Sequence, residues 1–309
     1  MVNDLLGTRL FMAAVTPMRS DESVDHEALA AMLDGDIRRG VEGVYVCGSS
    51  GEGVLLSEAE RIAVAETAVA AAAGRVPVVS HVGAMSTGEA VRIARAAKDT
   101  GVGAISMIPP LYYGYSTDDV VRHFRTVIDA VDLPFVLYNI PQFTGRDISE
   151  GGFDELLALP QVIGVKHTSR NLYGAERILH RYPHQTLING FDEFYLPALS
   201  IGARGAIGTT VALQIDLFLS LRRRFEAGDL AGARAVQVRI NDTVEAMVEV
   251  GVFGAAKYLG GTASALSLGD CRSPLPALDD AGRARLDDVY ARLQHHIATT
   301  AEEDARDRR

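Results

Sequence analysis

The chain has 309 residues, of which 48% are hydrophobic, and it carries a formal net charge of −10. An acidic chain lacks the clustered Lys and Arg that phosphates require, so no nucleic-acid surface is expected. The strongest basic cluster, residues 222–224 (RRR), lies on a helical pattern and is predicted to be a solvent-exposed face. The two cysteines, Cys47 and Cys271, have the spacing of neither a disulfide framework nor a zinc site.

The first ten residues and the lengths of the apolar runs bear on the cellular location of the protein. Residues 1–10 (MVNDLLGTRL) do not show a basic segment followed by an apolar core, so no secretory signal is expected. No apolar run approaches the ~20 residues that a membrane span requires. The sequence therefore predicts a protein that does not enter the membrane and that works in the cytoplasm.

Eight short apolar runs alternate with longer amphipathic stretches. The runs are RLFMAAVT, GVYVCG, VPVVSHVG, GAISMIP, PFVLYN, VIGVKHT, TLING and GAIGTT, beginning at Arg9, Gly43, Val76, Gly103, Pro134, Val162, Thr186 and Gly205. Nearly continuous apolar runs are typical of parallel strands covered on both faces. Eight such units predict an α/β fold, a (β/α)8 TIM barrel. An open doubly wound sheet is the alternative, but its dinucleotide form requires a GxGxxG turn that the first strand lacks.

Helix signals support this division of the chain. The stretches Ser57–Glu60 and Ser86–Glu89 both fit a capping box, in which serine and glutamate satisfy each other's backbone amides. After the eighth unit the chain reads as helices. We therefore expect a barrel over residues 1–228 and a C-terminal helical extension over residues 229–309.

A rare lysine follows the sixth run. The chain has only Lys98, Lys166 and Lys257, and Lys166 alone closes a pattern that indicates a buried strand. Reacting groups of such barrels lie at the carboxyl ends of the strands. Burial lowers the pKa of a lysine, and its neutral amine can attack a carbonyl to form a Schiff base. The alternative is a lysine that reaches water or pairs with a carboxylate.

Other polar side chains follow neighbouring strands. Tyr138 can transfer a proton or simply pack at the barrel mouth. Ser49 and Ser50, in the turn GSSGEG, offer hydroxyls and amides that are expected to lie at the start of a helix, an arrangement that favours a carboxylate. A plain tight turn is the alternative, and a phosphate loop is not expected because no lysine follows the glycines. Asp192 with Glu193 can bind ligand or cap a helix.

Three motifs in this order, GSSGE, YNIP and GVKHTS, give the chain a family resemblance. From Ala13 to Cys271 it resembles the class I pyruvate-dependent aldolases, the family that includes N-acetylneuraminate lyase and dihydrodipicolinate synthase. The resemblance implies that Lys166 forms the Schiff base with pyruvate and that Tyr138 relays protons. It also implies that Ser49 and Ser50 hold the pyruvate carboxylate.

The family also implies how the protein assembles and what it requires. Tyr112 matches a tyrosine that family members often offer across a subunit contact, and the family is usually tetrameric, so the resemblance implies a homotetramer. No metal and no organic cofactor are expected, because the imine itself accepts the electrons. His81 and His167 are expected to have structural or hydrogen-bonding roles.

The residues around the acceptor side favour the N-acetylneuraminate lyase branch. Phe143 stands where dihydrodipicolinate synthases place an arginine, whereas HVGAMST, KHTSRNLY, NGFDE and GVFGAAK look like the lyase branch. In that branch the hydroxylated chain of the sugar acid is held by the residues that match Thr168, Gly190, Asp192, Glu193 and Thr209. The run GTTVA, at Gly208, departs from the usual G-S-T-[YF]-N.

The resulting hypothesis is a Schiff-base lyase that reversibly cleaves N-acetylneuraminate to N-acetylmannosamine and pyruvate. The alternatives are another pyruvate-dependent aldolase or dehydratase of 2-keto-3-deoxy sugar acids, and dihydrodipicolinate synthase. A more remote alternative is a non-catalytic sugar-acid binding protein.

Overall fold

Eight parallel strands close into a barrel in the computed structural model, which describes residues 5–307. The prediction that residues 1–10 contain no secretory signal falls in part on residues 1–4, which lie outside the described residues. The strands are β1 (Leu10–Ala13), β2 (Gly43–Val46), β3 (Val78–His81), β4 (Ala104–Met107), β5 (Phe135–Asn139), β6 (Val162–His167), β7 (Thr186–Asn189) and β8 (Gly205–Gly208). They pair in chain order, and β8 closes on β1. The predicted TIM barrel is confirmed.

Helices follow each strand and continue beyond the barrel. They are α1 (His26–Arg39), α2 (Glu58–Ala72), α3 (Thr87–Asp99), α4 (Thr117–Asp129), α5 (Pro141–Thr144), α6 (Asp154–Leu157), α7 (Leu172–Arg181), α8 (Tyr195–Ser200), α9 (Ile215–Glu226), α10 (Leu230–Val250), α11 (Val252–Ser264) and α12 (Asp280–Asp307). Within residues 5–307 no helix combines the length and apolarity that crossing a membrane would require. The division of the chain at residues 228 and 229 falls between α9 and α10 and stays a prediction.

The two predicted capping boxes differ. At Ser57 the hydroxyl accepts from the Glu60 amide, and the Glu60 carboxylate accepts from the Ser57 amide in return. At Ser86 the hydroxyl accepts from the Glu89 amide, but the reciprocal bond is not formed. The full box is therefore confirmed only at the start of α2.

Two apolar layers hold the barrel. A large outer cluster packs the helices against the strands, and a smaller inner cluster fills the barrel. The inner cluster consists of Leu6, Phe11, Ala13, Tyr45, Val79, Ala104, Ile108, Val136, Tyr138, Ile140, Ile163, Ile188 and Ile207. Two tyrosines of this inner cluster, Tyr45 and Tyr138, thus lie inside the barrel.

A one-residue register shift in β6 turns Lys166 toward these tyrosines. Phe135 pairs with Val162, but the next residue of β5 pairs with Gly164, so Ile163 is an extra residue. An extra residue reverses the alternation of faces beyond it. Glycine is required there, because a Cβ on Gly164 would lie 2.4 Å from the Thr186 carbonyl oxygen. Lys166 is consequently paired with Tyr138 and directed into the barrel.

The basic cluster at residues 222–224 is only in part the solvent-exposed face that the sequence predicts, since Arg223 is exposed but Arg222 and Arg224 are half-buried. Arg222 makes two contacts of 2.8 Å with the Glu42 carboxylate. Arg224 donates to Asp304 at 2.9 Å, and Arg223 also pairs with Asp304. The three arginines belong to α9. Their carboxylate partners are Glu42, before β2, and Asp304, on α12, so the cluster links α9 to both segments.

Candidate active site

A cavity of about 150 Å³ opens at the carboxyl ends of the strands, beneath α10 and α11. Its lining includes nine of the ten site residues predicted from the sequence, namely Ser49, Ser50, Tyr138, Lys166, Thr168, Gly190, Asp192, Glu193 and Thr209. The tenth, Tyr112, does not line it. Tyr112 lies on the loop after β4, has 88% of its surface exposed, and contacts the Tyr113 ring edge-on at 4.9 Å.

Lys166 is buried between two aromatic rings. Its Nζ lies 3.9 Å from the Tyr138 ring centroid and 4.2 Å from that of Tyr45. Only 3% of the residue is exposed, so the side chain does not extend to bulk water. Burial lowers the pKa of Lys166, although Tyr138 and Asp192 act in the opposite direction. The arrangement raises the fraction of neutral amine, the form that attacks carbonyls.

Tyr138 lies where the lysine, the cavity and the barrel interior meet. Its ring makes edge-to-face contacts with Tyr45 and His81, each with centroids 6.1 Å apart. These contacts fix the ring, while the residue still lines the cavity. Tyr138 therefore packs at the barrel mouth and also lies beside the amine of Lys166.

Tyr45 is a site residue that the sequence interpretation missed. It is fully buried, and its hydroxyl donates to Ser106 Oγ at 3.1 Å. Burial also raises the pKa of this phenol well above its ordinary range. The available signal was its position, the second residue from the end of β2. Tyr45 supplies one of the two rings between which the lysine lies.

His81 has the hydrogen-bonding role expected for it. Its Nε2 accepts from the Ile108 amide at 3.2 Å, and the buried Arg61 donates to its carbonyl oxygen at 2.6 Å. Burial and the nearby guanidinium hold the pKa of His81 well below its usual value. His81 is thus a neutral ring that supports Tyr138 from the side.

The serine turn differs from its prediction in one respect. The first helix after Ser49 and Ser50 is α2, which begins only at Glu58, so no helix dipole acts on the serines. The turn is instead held by contacts across the barrel. Ser50 Oγ lies 2.7 Å from Thr209 Oγ1, and Thr16 Oγ1 donates to the Gly51 carbonyl at 2.7 Å. Hydroxyls and backbone amides remain as candidate anion ligands.

Asp192 is anchored to the turn after β8. Its Oδ2 accepts from both the amide and the hydroxyl of Thr210, each at 2.8 Å. Its Oδ1 has no hydrogen-bond partner among residues 5–307. The close approach requires Gly208, because a Cβ there would lie 1.6 Å from Oδ1. The helix-cap interpretation is therefore wrong for Asp192, whose free oxygen can accept from a ligand hydroxyl.

The protonation of Asp192 leads to a prediction about stability. Burial raises its pKa to about 6, against the opposing effect of the Thr210 hydrogen bonds. Between about pH 4 and pH 6 the folded state then binds more protons than the unfolded state, so this group lowers stability as pH rises. We expect wild-type stability to fall relative to Asp192→Asn through this window in urea unfolding experiments. If the difference in free energy of unfolding between wild type and Asp192→Asn did not change with pH, the raised pKa of Asp192 would be contradicted.

The far wall of the cavity comes from the C-terminal helices. Val244 and Val248 of α10 and Val252 and Phe253 of α11 line it. Sequence reasoning missed these residues as site residues, because nothing local indicates that helices beyond the barrel cover its mouth. The wall is apolar, in contrast to the polar side that Asp192 forms.

Comparisons with known proteins agree with this geometry. The model of the dihydrodipicolinate synthetase family matches residues 7–292. The chain belongs to that family. The family prediction is therefore confirmed, and with it the prediction of an enzyme of the class I lyases that acts on a small molecule.

Individual relatives within the family are similar over nearly their whole length. A Rhizobium meliloti protein named N-acetylneuraminate lyase is 40% identical over 283 residues, 91% of this chain and 94% of that protein. A Clostridium difficile protein solved with mannosamine has a TM-score of 0.89 at 28% identity, over 93% of this chain and 99% of that one. A catalytic lysine mutant of the Ruminococcus gnavus sialic acid aldolase has a TM-score of 0.91 at 28% identity, over 94% and 97%.

Proposed function

We propose that the chain is a Schiff-base lyase that reversibly cleaves N-acetylneuraminate to N-acetylmannosamine and pyruvate. The observation that carries the proposal is the position of Lys166, buried between two tyrosine rings in a cavity that hydroxyls and a carboxylate also line. The names of the relatives support the same substrate.

The first step forms the imine. The neutral amine of Lys166 attacks the C2 ketone of the open-chain acid, and water leaves as the C=N bond forms. Serine hydroxyls and amides of the turn after β2 bind the adjacent carboxylate, which sets the angle of attack. Once protonated, the imine withdraws electrons from C3 and so serves as the electron acceptor of the reaction.

The second step breaks the C3–C4 bond. Tyr138 accepts the proton of the C4 hydroxyl as its own phenolic proton passes to the substrate carboxylate. The electrons of the C3–C4 bond then flow into the iminium, giving an enamine on Lys166 and releasing the aldehyde. Protonation of the enamine at C3 and addition of water return the free lysine and pyruvate. In the reverse direction the enamine attacks the aldehyde.

The polar side of the cavity suits a hydroxylated chain. Asp192 Oδ1 and Thr168 Oγ1 are buried acceptors without a protein partner among the described residues. Gly190 lies against Thr168, and a Cβ there would lie 1.9 Å from its hydroxyl oxygen, so a side chain would displace that hydroxyl. We assign these groups, with Glu193 and Thr209, to the polyol part of the substrate.

The apolar wall favours a second candidate. Four apolar residues from α10 and α11 offer no hydrogen bonds to a polyol, so an aldehyde with fewer hydroxyls also fits this side. Another pyruvate-dependent aldolase or dehydratase of 2-keto-3-deoxy sugar acids is therefore the alternative. Dihydrodipicolinate synthase activity is disfavoured, because Phe143 at the cavity supplies no charge for a second carboxylate.

A substrate panel tests the choice between these activities. We expect kcat/KM for N-acetylneuraminate to exceed that for shorter 2-keto-3-deoxy sugar acids by roughly 10-fold or more, because unpaired buried acceptors penalise substrates that lack hydroxyls. Pyruvate release is measured through lactate dehydrogenase. As a control, Asp192→Asn should lose this preference and still form a pyruvate adduct. A preference for a shorter acid in the wild type would move the assignment to the second candidate.

The assembly and the location of the protein stay proposals. Support for a homotetramer comes from the exposed tyrosines after β4, since Tyr112 is 88% and Tyr113 67% exposed in the single chain. We assign Tyr112 to a contact with a second copy. The cytoplasmic location expected from the sequence is also retained as a proposal.

A further inference from the structure

Two buried charges outside the cavity form an ion pair. Lys257 on α11 and Glu52 in the turn after β2 are each only 2% exposed, and Nζ lies 2.6 Å from Oε1. Neither residue lines the cavity around Lys166. A buried pair of this kind is retained at a desolvation cost, and removal of one partner leaves an uncompensated charge. The pair therefore requires an explanation beyond packing.

Further bonds tie both partners to the segment that follows α11. Lys257 Nζ donates to the Asp270 carbonyl at 2.8 Å, and Glu52 Oε2 accepts from the Arg272 amide at 2.7 Å. The Arg272 guanidinium donates to the Leu55 carbonyl at 2.9 Å. The region beyond the barrel thus holds the turn at two points, Glu52 and Leu55.

The turn so held is the one that carries Ser49 and Ser50. Glu52 itself has φ of +56°, a left-handed conformation that a residue with a side chain adopts only when its surroundings enforce it. Gly53 packs so closely that a Cβ would lie 1.7 Å from the Cys47 carbonyl oxygen. The backbone is therefore tightly constrained at Glu52 and Gly53, two to four residues after the serines.

We propose that Lys257 is a positioning residue that acts through Glu52 to hold the serine turn in the conformation that binds the carboxylate of the 2-keto acid. The inference rests on the proposed function, which assigns that carboxylate to the turn. It makes the C-terminal helices part of substrate binding and not only a cover for the barrel. Lys257 touches no substrate in this account.

Lys257→Met in the full chain tests the proposal, with Lys98→Met, on the exposed end of α3, as the matched control. We expect KM for the 2-keto acid, and the pyruvate concentration that half-saturates adduct formation, to rise roughly 10- to 100-fold, the effect of weakening bonds to a charged group. The value of kcat should change much less. A purely structural role would instead reduce the active fraction, and hence apparent kcat, at unchanged KM.

A double variant separates the two roles further. Glu52→Gln combined with Lys257→Met removes both charges and should give a KM between wild type and Lys257→Met. This double variant also decides the matter if the single variant does not fold.

Three outcomes would overturn the inference. They are wild-type KM in folded Lys257→Met, wild-type KM in the double variant, and a defect confined to apparent kcat. A different result concerns the proposed function itself. If the wild-type protein formed no reducible adduct with pyruvate, the failure would lie in the Schiff-base assignment, whereas a normal wild-type adduct with unchanged KM in Lys257→Met would remove only the positioning role.

Discussion

Lys166→Met is expected to lower kcat for cleavage of N-acetylneuraminate by roughly 10⁴-fold or more, since the covalent intermediate can no longer form. Pyruvate release, coupled to lactate dehydrogenase, gives the measurement. Methionine keeps the length and apolar character of the side chain, so the contacts with Tyr45 and Tyr138 are retained in part.

The loss should not reflect unfolding. Burial lowers the pKa of Lys166, which means that the ammonium form is disfavoured in the folded state. Replacing it with an apolar side chain should leave the free energy of unfolding unchanged or higher. Lys98→Met is the control, because that lysine is exposed, and it should have wild-type activity. Near-normal turnover by Lys166→Met would contradict the mechanism.

Tyr138→Phe should lower kcat by about 10²- to 10⁴-fold, the usual effect of removing a general acid or base. The phenyl ring keeps the edge-to-face contacts with Tyr45 and His81, so the fold and the position of the lysine are preserved. Steady-state kinetics with N-acetylneuraminate checks the prediction, and the reducible adduct with pyruvate should persist.

Tyr45→Phe is the matched control for the tyrosine variant. It also removes one hydroxyl and keeps the ring beside Lys166, but that hydroxyl donates to Ser106 and Tyr45 does not line the cavity. We expect a change in kcat of less than about 10-fold, since a single neutral hydrogen bond is lost. Equal losses in the two variants would show that proton transfer is not specific to Tyr138.

Much of the fold could be predicted because its signals are local. The eight apolar runs begin within two residues of the strands that form, and parallel strands buried on both faces require such runs. Lys166 was identifiable for the same reason, as a charge at the end of an apolar strand. Positions at strand ends were sufficient to predict that Lys166, Tyr138, the two serines, Asp192 and Glu193 lie together, whereas Thr168, Gly190 and Thr209 were expected only from the family resemblance.

Contacts that depend on closure of the barrel could not be predicted. Ser50 meets Thr209 across 159 residues of sequence, and the bond exists only because β8 returns beside β1. The pairing of Glu52 with Lys257 similarly depends on how α11 packs over the barrel mouth. The later start of the helix after the serines is a different case, because the local capping box at Ser57, which the sequence does indicate, fixes it.

The direction in which the Lys166 side chain points could also not be predicted from the sequence pattern. Strict alternation from Ile163, which belongs to the inner cluster, would turn Lys166 to the opposite face of β6. The register shift at Gly164 reverses this, and glycine in a strand is only a weak indication of such a shift. Tyr45 was missed because an aromatic residue in an apolar run is usually core.

The most direct test of the Schiff base is intact-mass spectrometry after borohydride reduction, with pyruvate and with N-acetylneuraminate in parallel. We predict a pyruvate-sized adduct on Lys166 from both compounds, and none in Lys166→Met. The absence of an adduct from either compound in the wild-type protein would contradict the account and favour a binding protein without this chemistry.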